Sequence, residues 1–308
     1  GRGLAVEVFP MSFIETARHR GLEVPSEGTP SPRVRSLLLE HLDRYLEVGG
    51  FPEVLDMSQA LRTQTLQDYV ELVLLRDVIE RHGVENAVAA RAFSRLLLQS
   101  SGQRFSVNKA HKDLKSRGFQ VSRDTLHALL SHFEDAYLVH TVPIFSQSER
   151  VIASNPRKAY AVDPGLASAL SHVTATNLGT RLETAVFLEL RRRAGRMLTG
   201  QISFYVTGQG HEIDFVVGDP FSRHAADLIQ VSASLADAST REREVRALTA
   251  GMHELGIRES MIVTMNETGT LEVESGTIFI VPAWQWLSRP SDDPTSSGAD
   301  GTTEGEDA

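Results

Sequence analysis

Apolar residues recur at helical spacing through the first part of the chain. Leucines three and four residues apart predict helices from about residue 34 to 82, with a break at the Gly-Gly-Phe-Pro sequence of residues 49–52. A further helix is predicted within residues 84–102, because its apolar residues share one side. This part of the chain is therefore predicted to be mainly helical.

Two short helices and two strands follow. Ser106 and Ser122 stand where the N-cap of a helix is expected, and Gly118 stands just past the end of the first helix. Two strand-like runs between residues 137 and 163 flank a polar hairpin. Three helices closed by a β-hairpin form the order of a winged helix-turn-helix, which we predict for residues 87–158. A helical bundle without a nucleic-acid role remains an alternative, and a winged helix can also dock a protein.

The last third of the chain alternates strands with helices. Amphipathic helices are predicted at residues 180–195 and 239–256, and β-branched and aromatic residues predict strands between and after them. Strands with helices packed around them form an α/β sandwich. The predicted fold class is therefore multidomain α/β, with a linker and helical segment at 25–86, the winged helix, and a sandwich at 159–287. The predicted strands cover residues 201–207, 212–218, 227–232, 260–265 and 277–287.

The composition bounds the compartment and the chemistry. The 308 residues are 41% hydrophobic and 23% charged, which is enough for about two or three domains. No run approaches the roughly 18 apolar residues of a membrane helix, and no charged-then-apolar leader is present, so we expect a cytoplasmic protein without a membrane partner. The absence of cysteine excludes disulfides, thiolate zinc sites and cysteine nucleophiles. Catalysis would have to use carboxylates, histidine, hydroxyl groups or bound metal.

Charge is distributed unevenly along the chain. The net charge is −9, and residues 288–308 contribute −5 of it, from six acids and Arg289. This segment is rich in Ser, Thr, Gly, Pro and Asp, and we predict a disordered acidic tail. Residues 104–123, in contrast, hold six basic residues and a single acid, Asp113.

The basic segment covers the two short helices, so DNA is the partner we expect. We predict that Lys109, Lys112, Lys115 and Arg123 contact phosphates. We also predict that Arg123, Thr125 and His127 reach base edges in the major groove. A solvated helix face is the alternative interpretation of such a charge run.

Acidic residues in the last third are arranged as in metal-dependent nucleases. Alternation along the strand at 212–218 places Glu212 and Asp214 on one face, opposite the core-facing Ile213, Phe215 and Val217. Glu183, on the preceding helix, completes a set of one acid from a helix and one from a strand. Carboxylate oxygens are the ligands that Mg²⁺ prefers, so Glu183 and Asp214 are the candidate metal ligands.

The next strand departs from the nuclease pattern. Gln230 and Ser232 stand where a second acid and a water-activating lysine are expected. No lysine follows Lys158, so we exclude a lysine supplied from elsewhere in this domain, and arginine cannot accept a proton. We therefore predict that Glu183, Asp214 and Gln230 form a vestigial catalytic site. A structural acidic pair and an active Mg²⁺-dependent nuclease remain alternatives.

A series of sequence blocks from about Gly49 to Trp286 resembles a known family. The blocks are GGFPEVL, LLRDVIERHGV, FSVNKAHKDLKSRGFQVSRDTLHALLSHFEDAYLV, AYAVDPGLASAL, LETAVFLELRRR, EIDFVV, LIQVS and REREVRALTAG. In this order they resemble the DUF4143 region of prokaryotic AAA+ family ATP-binding proteins. The resemblance implies a winged helix followed by a restriction-endonuclease-like, PD-(D/E)xK-related fold.

The same resemblance implies an ATPase domain that this chain lacks. Residues 1–24 look like the end of the AAA+ domain that precedes the DUF4143 region in that family. The intact protein would bind and hydrolyse ATP with Mg²⁺, yet no Gly-x-x-x-x-Gly-Lys-Ser/Thr loop occurs here. We therefore expect a truncated chain.

Three functions follow from the sequence as hypotheses. In the first, the winged helix binds DNA and an inactive nuclease-like domain serves binding or assembly. In the second, the chain is a divalent-metal-dependent DNA nuclease. In the third, it is an adaptor that docks a protein partner or associates with itself.

Overall fold

The structure is a computed structural model that describes residues 7–24, 30–170, 178–198, 202–221 and 224–289. Within these residues the chain has a mixed α/β fold with eleven α-helices and two β-sheets. The helices are α1 (Phe13–His19), α2 (Pro32–Val48), α3 (Gln59–Val73), α4 (Ala87–Gln99), α5 (Val107–Ser116), α6 (Arg123–Asp135), α7 (Glu149–Ser154), α8 (Pro164–Leu170), α9 (Leu178–Leu198), α10 (Ala238–Leu255) and α11 (Ala283–Trp286). The strands are β1 (Gln103–Phe105), β2 (Val139–Val142), β3 (Arg157–Ala161), β4 (Ile202–Val206), β5 (Glu212–Asp219), β6 (His224–Val231), β7 (Glu259–Thr264), β8 (Gly269–Val273) and β9 (Gly276–Pro282).

The helical first part follows the apolar pattern closely. The predicted helical stretch 34–82 forms α2 and α3, and α3 continues into a π-helical segment, Leu74–Glu80. The predicted break is present, because Gly49 ends α2 with a φ of 80°, which side chains other than that of glycine rarely adopt. The strand-like start of the chain at residues 1–6 and most of the predicted acidic tail, residues 290–308, lie outside the described residues.

A small sheet closes a group of three helices. Its strand order is β1-β3-β2, all antiparallel, and α4, α5 and α6 pack on it around Phe93, Leu114, Leu126 and Phe133. The predicted N-caps of α5 and α6 are present, and their serine hydroxyl groups accept backbone N–H bonds at 3.3 and 3.0 Å. A short helix, α7, occupies the connection where a polar hairpin was predicted.

A six-stranded sheet with order β4-β5-β6-β7-β9-β8 forms the last third. The β6–β7 and β7–β9 pairs are parallel and the others are antiparallel. The core on one side of this sheet includes apolar residues of α9 and α2, and the core on the other side includes apolar residues of α10. The five predicted strands are β4, β5, β6, β7 and β9, whereas β1 and β8 were not predicted.

The two sheets meet edge to edge. The chain just after β2 bonds to β4 through Phe145 N–H to the Phe204 carbonyl at 2.7 Å and Phe204 N–H to the Pro143 carbonyl at 3.0 Å. Behind this joint, the Tyr160 ring of β3 stacks on the Phe187 ring of α9 with centroids 4.2 Å apart. The small sheet is therefore fixed against the large one, and one face of β3 packs against α9 and β5.

None of the helices in the described part of the chain has the length and hydropathy needed to span a membrane.

Candidate functional site

A buried lysine joins the two sheets. Lys158 lies on β3, is 1% exposed, and places its Nζ 2.8 Å from Glu183 of α9, 2.8 Å from Glu212 and 2.7 Å from Asp214 of β5. The Tyr160 hydroxyl donates to the same Glu183 oxygen at 2.8 Å. We name Lys158, Glu183, Glu212 and Asp214 the carboxylate cluster. Three acids from the last third of the chain thus share one ammonium group from the small sheet.

A β-bulge places Asp214 in this cluster. Ser203 pairs with Val216 and Tyr205 pairs with Ile213, so two residues of β5, Asp214 and Phe215, oppose one residue of β4. Bulges bend a strand and re-aim side chains, and they are frequent near functional sites. Here the bulge lets Asp214 Oδ2 accept the N–H of Val231 on β6 at 2.9 Å, while Oδ1 accepts from Lys158.

The same bulge corrects the predicted alternation of β5. Glu212 and Asp214 do reach one group, Lys158, as their shared face predicted. However, Ile213 packs in the core that includes α10, whereas Phe215 packs in the core that includes α9. The prediction that Ile213 and Phe215 share a core face was therefore wrong, because strict alternation does not survive an inserted residue.

The Gln230 side chain forms hydrogen bonds to the backbone of β5 and to α10. Its Oε1 accepts the Asp214 N–H at 3.2 Å and its Nε2 donates to Glu244 of α10 at 2.6 Å. Glu244 also pairs with Arg243. The neighbouring Ser232 is buried and its hydroxyl donates to the Ser234 carbonyl at 3.0 Å. Gln230 therefore links β5 to α10. The Ser232 hydroxyl stabilises the loop that follows β6 by bonding to its backbone.

Burial and mutual repulsion control the protonation of the cluster. Burial, together with the charge of Asp214, raises the pKa of Glu183 to about 8. Burial alone would lower the pKa of Lys158, but Asp214, Tyr160, Glu183 and Glu212 raise it well above its usual value. These shifts favour the charged form of Lys158 and the protonated form of Glu183.

The cluster is charge-balanced within the protein. Glu212 also pairs with Arg104 of β1, whose Nη2 lies 2.6 Å from Glu212 Oε2. With Glu183 protonated, two carboxylates face two cations, Lys158 and Arg104. Electrostatic balance of this kind is what a buried ionic group requires.

The candidate metal ligands are already engaged by groups of the protein. Within the residues that the structure describes, no three His, Asp or Glu side chains are placed to hold a metal ion. The Lys158 ammonium stands between the acids that a metal would need, and both oxygens of Asp214 already accept hydrogen bonds. The candidate ligands Glu183 and Asp214 are thus together in space, but bound to a lysine.

Lys158 is the functional residue that the sequence argument missed. We excluded a lysine because none follows residue 158, yet Lys158 itself, from the preceding predicted domain, reaches the acids. A signal was present in the sequence, because Lys158 stands in the strand-like run Lys-Ala-Tyr-Ala-Val. A lysine inside a buried strand needs an acidic partner.

The second candidate surface lies on α5 and α6. Asn108, Lys109, Lys112, Lys115 and Ser116 are all exposed and fall on one side of α5; we name them the basic face. Its three lysines form no ion pair with any residue in the described part of the chain. The structure thus brings together the three lysines that were predicted to contact phosphates.

The predicted base-reading residues lie on the next helix. Arg123, Thr125 and His127 are exposed near the start of α6. The Thr125 hydroxyl is 2.8 Å from the Ser122 hydroxyl of the helix cap. His127 lines a cleft of about 540 Å³ between α6, the start of α5 and the connection that contains α7.

Comparisons with known proteins give relatives without a stated activity. A domain of unknown function, DUF8612, matches residues 39–177. The uncharacterized protein MJ1544 of Methanocaldococcus jannaschii is 30% identical over 293 residues, which cover 93% of this chain and 64% of that protein. An uncharacterized protein of Haemophilus influenzae is 24% identical over 234 residues, which cover 76% of this chain and 54% of that protein. This chain thus spans less than two thirds of the length of either relative. No solved structure matches it.

These findings correct the family assignment. The resemblance to DUF4143 was wrong, because the family model that matches residues 39–177 is DUF8612, a domain of unknown function, and not DUF4143. The quoted blocks include whole elements, such as α5 and α6 within residues 105–139, so the elements were recognised but the family was not. The expectation of ATP and Mg²⁺ in a preceding domain was based on that resemblance alone. The chain is similar to DUF8612 proteins over the helices and the small sheet.

Proposed function

We propose that this chain binds duplex DNA through the unit that contains helices α5 and α6. The observation that carries the proposal is the basic face, on which Lys109, Lys112 and Lys115 are exposed without an acidic partner among the described residues. Unpaired cations on one helix face are the groups that neutralise phosphates. The net charge of the whole chain is −9, so this surface is a local exception and not a general property of the molecule.

The arrangement of the surrounding elements supports the proposal. The order α4, β1, α5, α6, β2, β3, with the three strands in one antiparallel sheet, supports a winged helix-turn-helix, which we propose for this part of the chain. In that fold two helices joined by a short turn approach the duplex. Here the turn is residues 117–122, and the basic face lies on the helix that precedes it.

The large sheet is proposed to anchor the DNA-binding unit without hydrolysing DNA. Its acids from α9 and β5 lie close to one another and to the amide of Gln230 on β6. Lys158 binds these acids with its ammonium group, and among the described residues no three His, Asp or Glu side chains are placed to hold a metal ion. The carboxylate cluster therefore serves to hold β3 on the large sheet.

DNA binding is tested by fluorescence anisotropy of a labelled duplex between about 50 and 300 mM salt. We expect binding that weakens steeply with salt and that is lost in the triple variant Lys109→Ala, Lys112→Ala and Arg123→Ala. The variant should keep the circular dichroism spectrum of the parent, because all three side chains are exposed. Absence of binding at 50 mM salt would reject the proposal and favour a protein-docking adaptor.

A metal-dependent nuclease is the second candidate, and Lys158 is the observation that favours it. The amine that the nuclease pattern lacks on β6 is present in the cluster, delivered from β3. Incubation of the chain and its Asp214→Asn variant with plasmid DNA and Mg²⁺ or Mn²⁺ tests this function. We expect no cleavage by either protein, whereas cleavage by the parent that the variant abolishes would establish the nuclease.

A further inference from the structure

The two helices of the DNA-binding unit carry opposite charge. The basic face of α5 has three lysines and no acid, since Asp113 lies off this face and pairs with Arg117 at 2.9 Å. The positions of the face recur at helical spacing over nine residues, so the face extends along about 12 Å of helix. This length presents three cations to one partner at the same time.

The exposed side of α6 has a net negative charge. Arg123 is its one cationic residue apart from histidines, and Asp124, Glu134 and Asp135 oppose it. Asp124 and Asp135 are exposed and form no ion pair with a described residue. A helix with this charge would bring unpaired carboxylates against the phosphates that border a groove, which is unfavourable.

One of the residues predicted to read bases, Thr125, is also engaged in a local contact. Thr125 shares its hydroxyl with the Ser122 cap. His127 faces a cleft that it lines together with Glu134 and Arg157. The Thr125 hydroxyl is therefore not an unengaged donor or acceptor of the kind that direct base readout uses.

We propose that α5, and not α6, lies on the DNA, and that the contact is made to phosphates irrespective of base sequence. This inference depends on the proposed DNA binding. It names the ligand as the sugar-phosphate backbone of duplex DNA of any sequence, bound by Lys109, Lys112 and Lys115. The acidic side of α6 then faces away from the duplex.

Two matched triple variants test this inference on the full chain. One is Lys109→Ala, Lys112→Ala and Lys115→Ala in α5, and the other is Arg123→Ala, Thr125→Ala and His127→Ala in α6. Anisotropy is measured with three labelled duplexes of equal length and unrelated sequence, over 50 to 300 mM salt. Thermal melting of each variant shows that the fold is retained.

We expect the parent to bind the three duplexes within about threefold of one another. The α5 variant should lose at least tenfold in affinity at 100 mM salt, and its slope of log K against log salt should be smaller by about 2.7, from three phosphate contacts. The α6 variant should stay within about twofold of the parent.

Failure of this inference can be distinguished from failure of the proposed function. If the parent binds DNA but the α6 variant loses affinity, or the parent prefers one duplex by more than tenfold, α6 reads bases and the inference is rejected while DNA binding stands. If the parent binds none of the duplexes at 50 mM salt, the proposed function itself is rejected, and the inference with it.

Discussion

Lys158 is the residue whose removal we expect to be most damaging. Its ammonium is 1% exposed and lies within 2.8 Å of Glu183, Glu212 and Asp214. Breaking a buried ion pair by removing one partner costs about 3–5 kcal/mol, because the other charge stays buried without compensation. We therefore expect Lys158→Met to lower the free energy of unfolding by about 3 kcal/mol or more, measured by urea denaturation.

Arg104 provides the matched control at the same cluster. Its side chain is 40% exposed and it pairs with the more accessible Glu212. Exposed pairs contribute about 0–1 kcal/mol, so Arg104→Met should have a small effect. The double variant Lys158→Met and Asp214→Asn should recover part of the loss, since it removes the uncompensated charge. Equal effects of the two single methionine variants would contradict the role given to burial.

At the scale of elements, Gly49 fixes how α2 meets α8. Its φ is 80°, and a Cβ there would lie 1.8 Å from Oδ1 of Asp163, which precedes α8. Asp163 accepts the Gly50 N–H at 2.7 Å and the Gly165 N–H at 2.8 Å, so it cannot move aside without losing buried bonds. We expect Gly49→Ala to destabilise the fold by about 3 kcal/mol, from backbone strain together with overpacking.

Gly118 distinguishes the effect of backbone strain from that of overpacking. Its φ is 89°, but nothing lies within 4 Å of a Cβ built there. Gly118→Ala should therefore show the backbone strain alone, about 1–2 kcal/mol. Chemical denaturation of both variants gives the comparison, and a Gly118→Ala loss as large as that of Gly49→Ala would show that crowding against Asp163 is unimportant.

Helices and strands could be predicted from the sequence where the pattern that specifies them lies within the element itself. The periodic leucines of α2, the serine cap of α6 and the β-branched run of β5 depend on neighbours in sequence, and the structure has all three elements. The short elements α7 and β1 were missed because so few residues carry no usable periodicity. The formation of β1 depends on pairing with β3, which lies in a distant part of the chain.

The candidate site was predictable in part for the same reason. Glu183, Asp214 and Gln230 come from neighbouring elements of the last third, and the structure brings them together. Lys158 comes from the other sheet, so only the packing of the two sheets reveals it. The bulge at Asp214 likewise depends on pairing with β4, which a single strand cannot show.

At the scale of the whole molecule, three buried groups couple stability to pH. Burial raises the pKa of Glu183 to about 8 and that of Asp163 to about 6, and burial lowers the pKa of His140 to about 3. The two acids hold protons in the folded state that they lose on unfolding. Their contribution to stability is complete below about pH 4 and is lost as the pH rises through 6 for Asp163 and through 8 for Glu183.

His140 changes stability with pH in the opposite direction from the two acids, and it does so over a lower pH range. It is neutral when folded and takes up a proton on unfolding, so its contribution is present above about pH 6.5 and is lost as the pH falls toward 3. Between pH 6.5 and 8, the contributions of His140 and Asp163 are nearly constant. Among these three groups, Glu183 thus determines how the free energy of unfolding changes with pH between pH 6.5 and 8.

We therefore expect the free energy of unfolding to fall as the pH rises from 6.5 to 8. One proton released per molecule corresponds to a slope of about 1.4 kcal/mol per pH unit at most. The measurement is urea denaturation at half-unit steps of pH, for the parent and for Glu183→Gln, which keeps the size and the acceptor oxygen of the side chain. The variant should be nearly independent of pH over this window. A parent whose stability is constant or rises from pH 6.5 to 8 would show that Glu183 is ionised in the folded protein, and that Lys158 and Arg104 balance three negative charges instead of two.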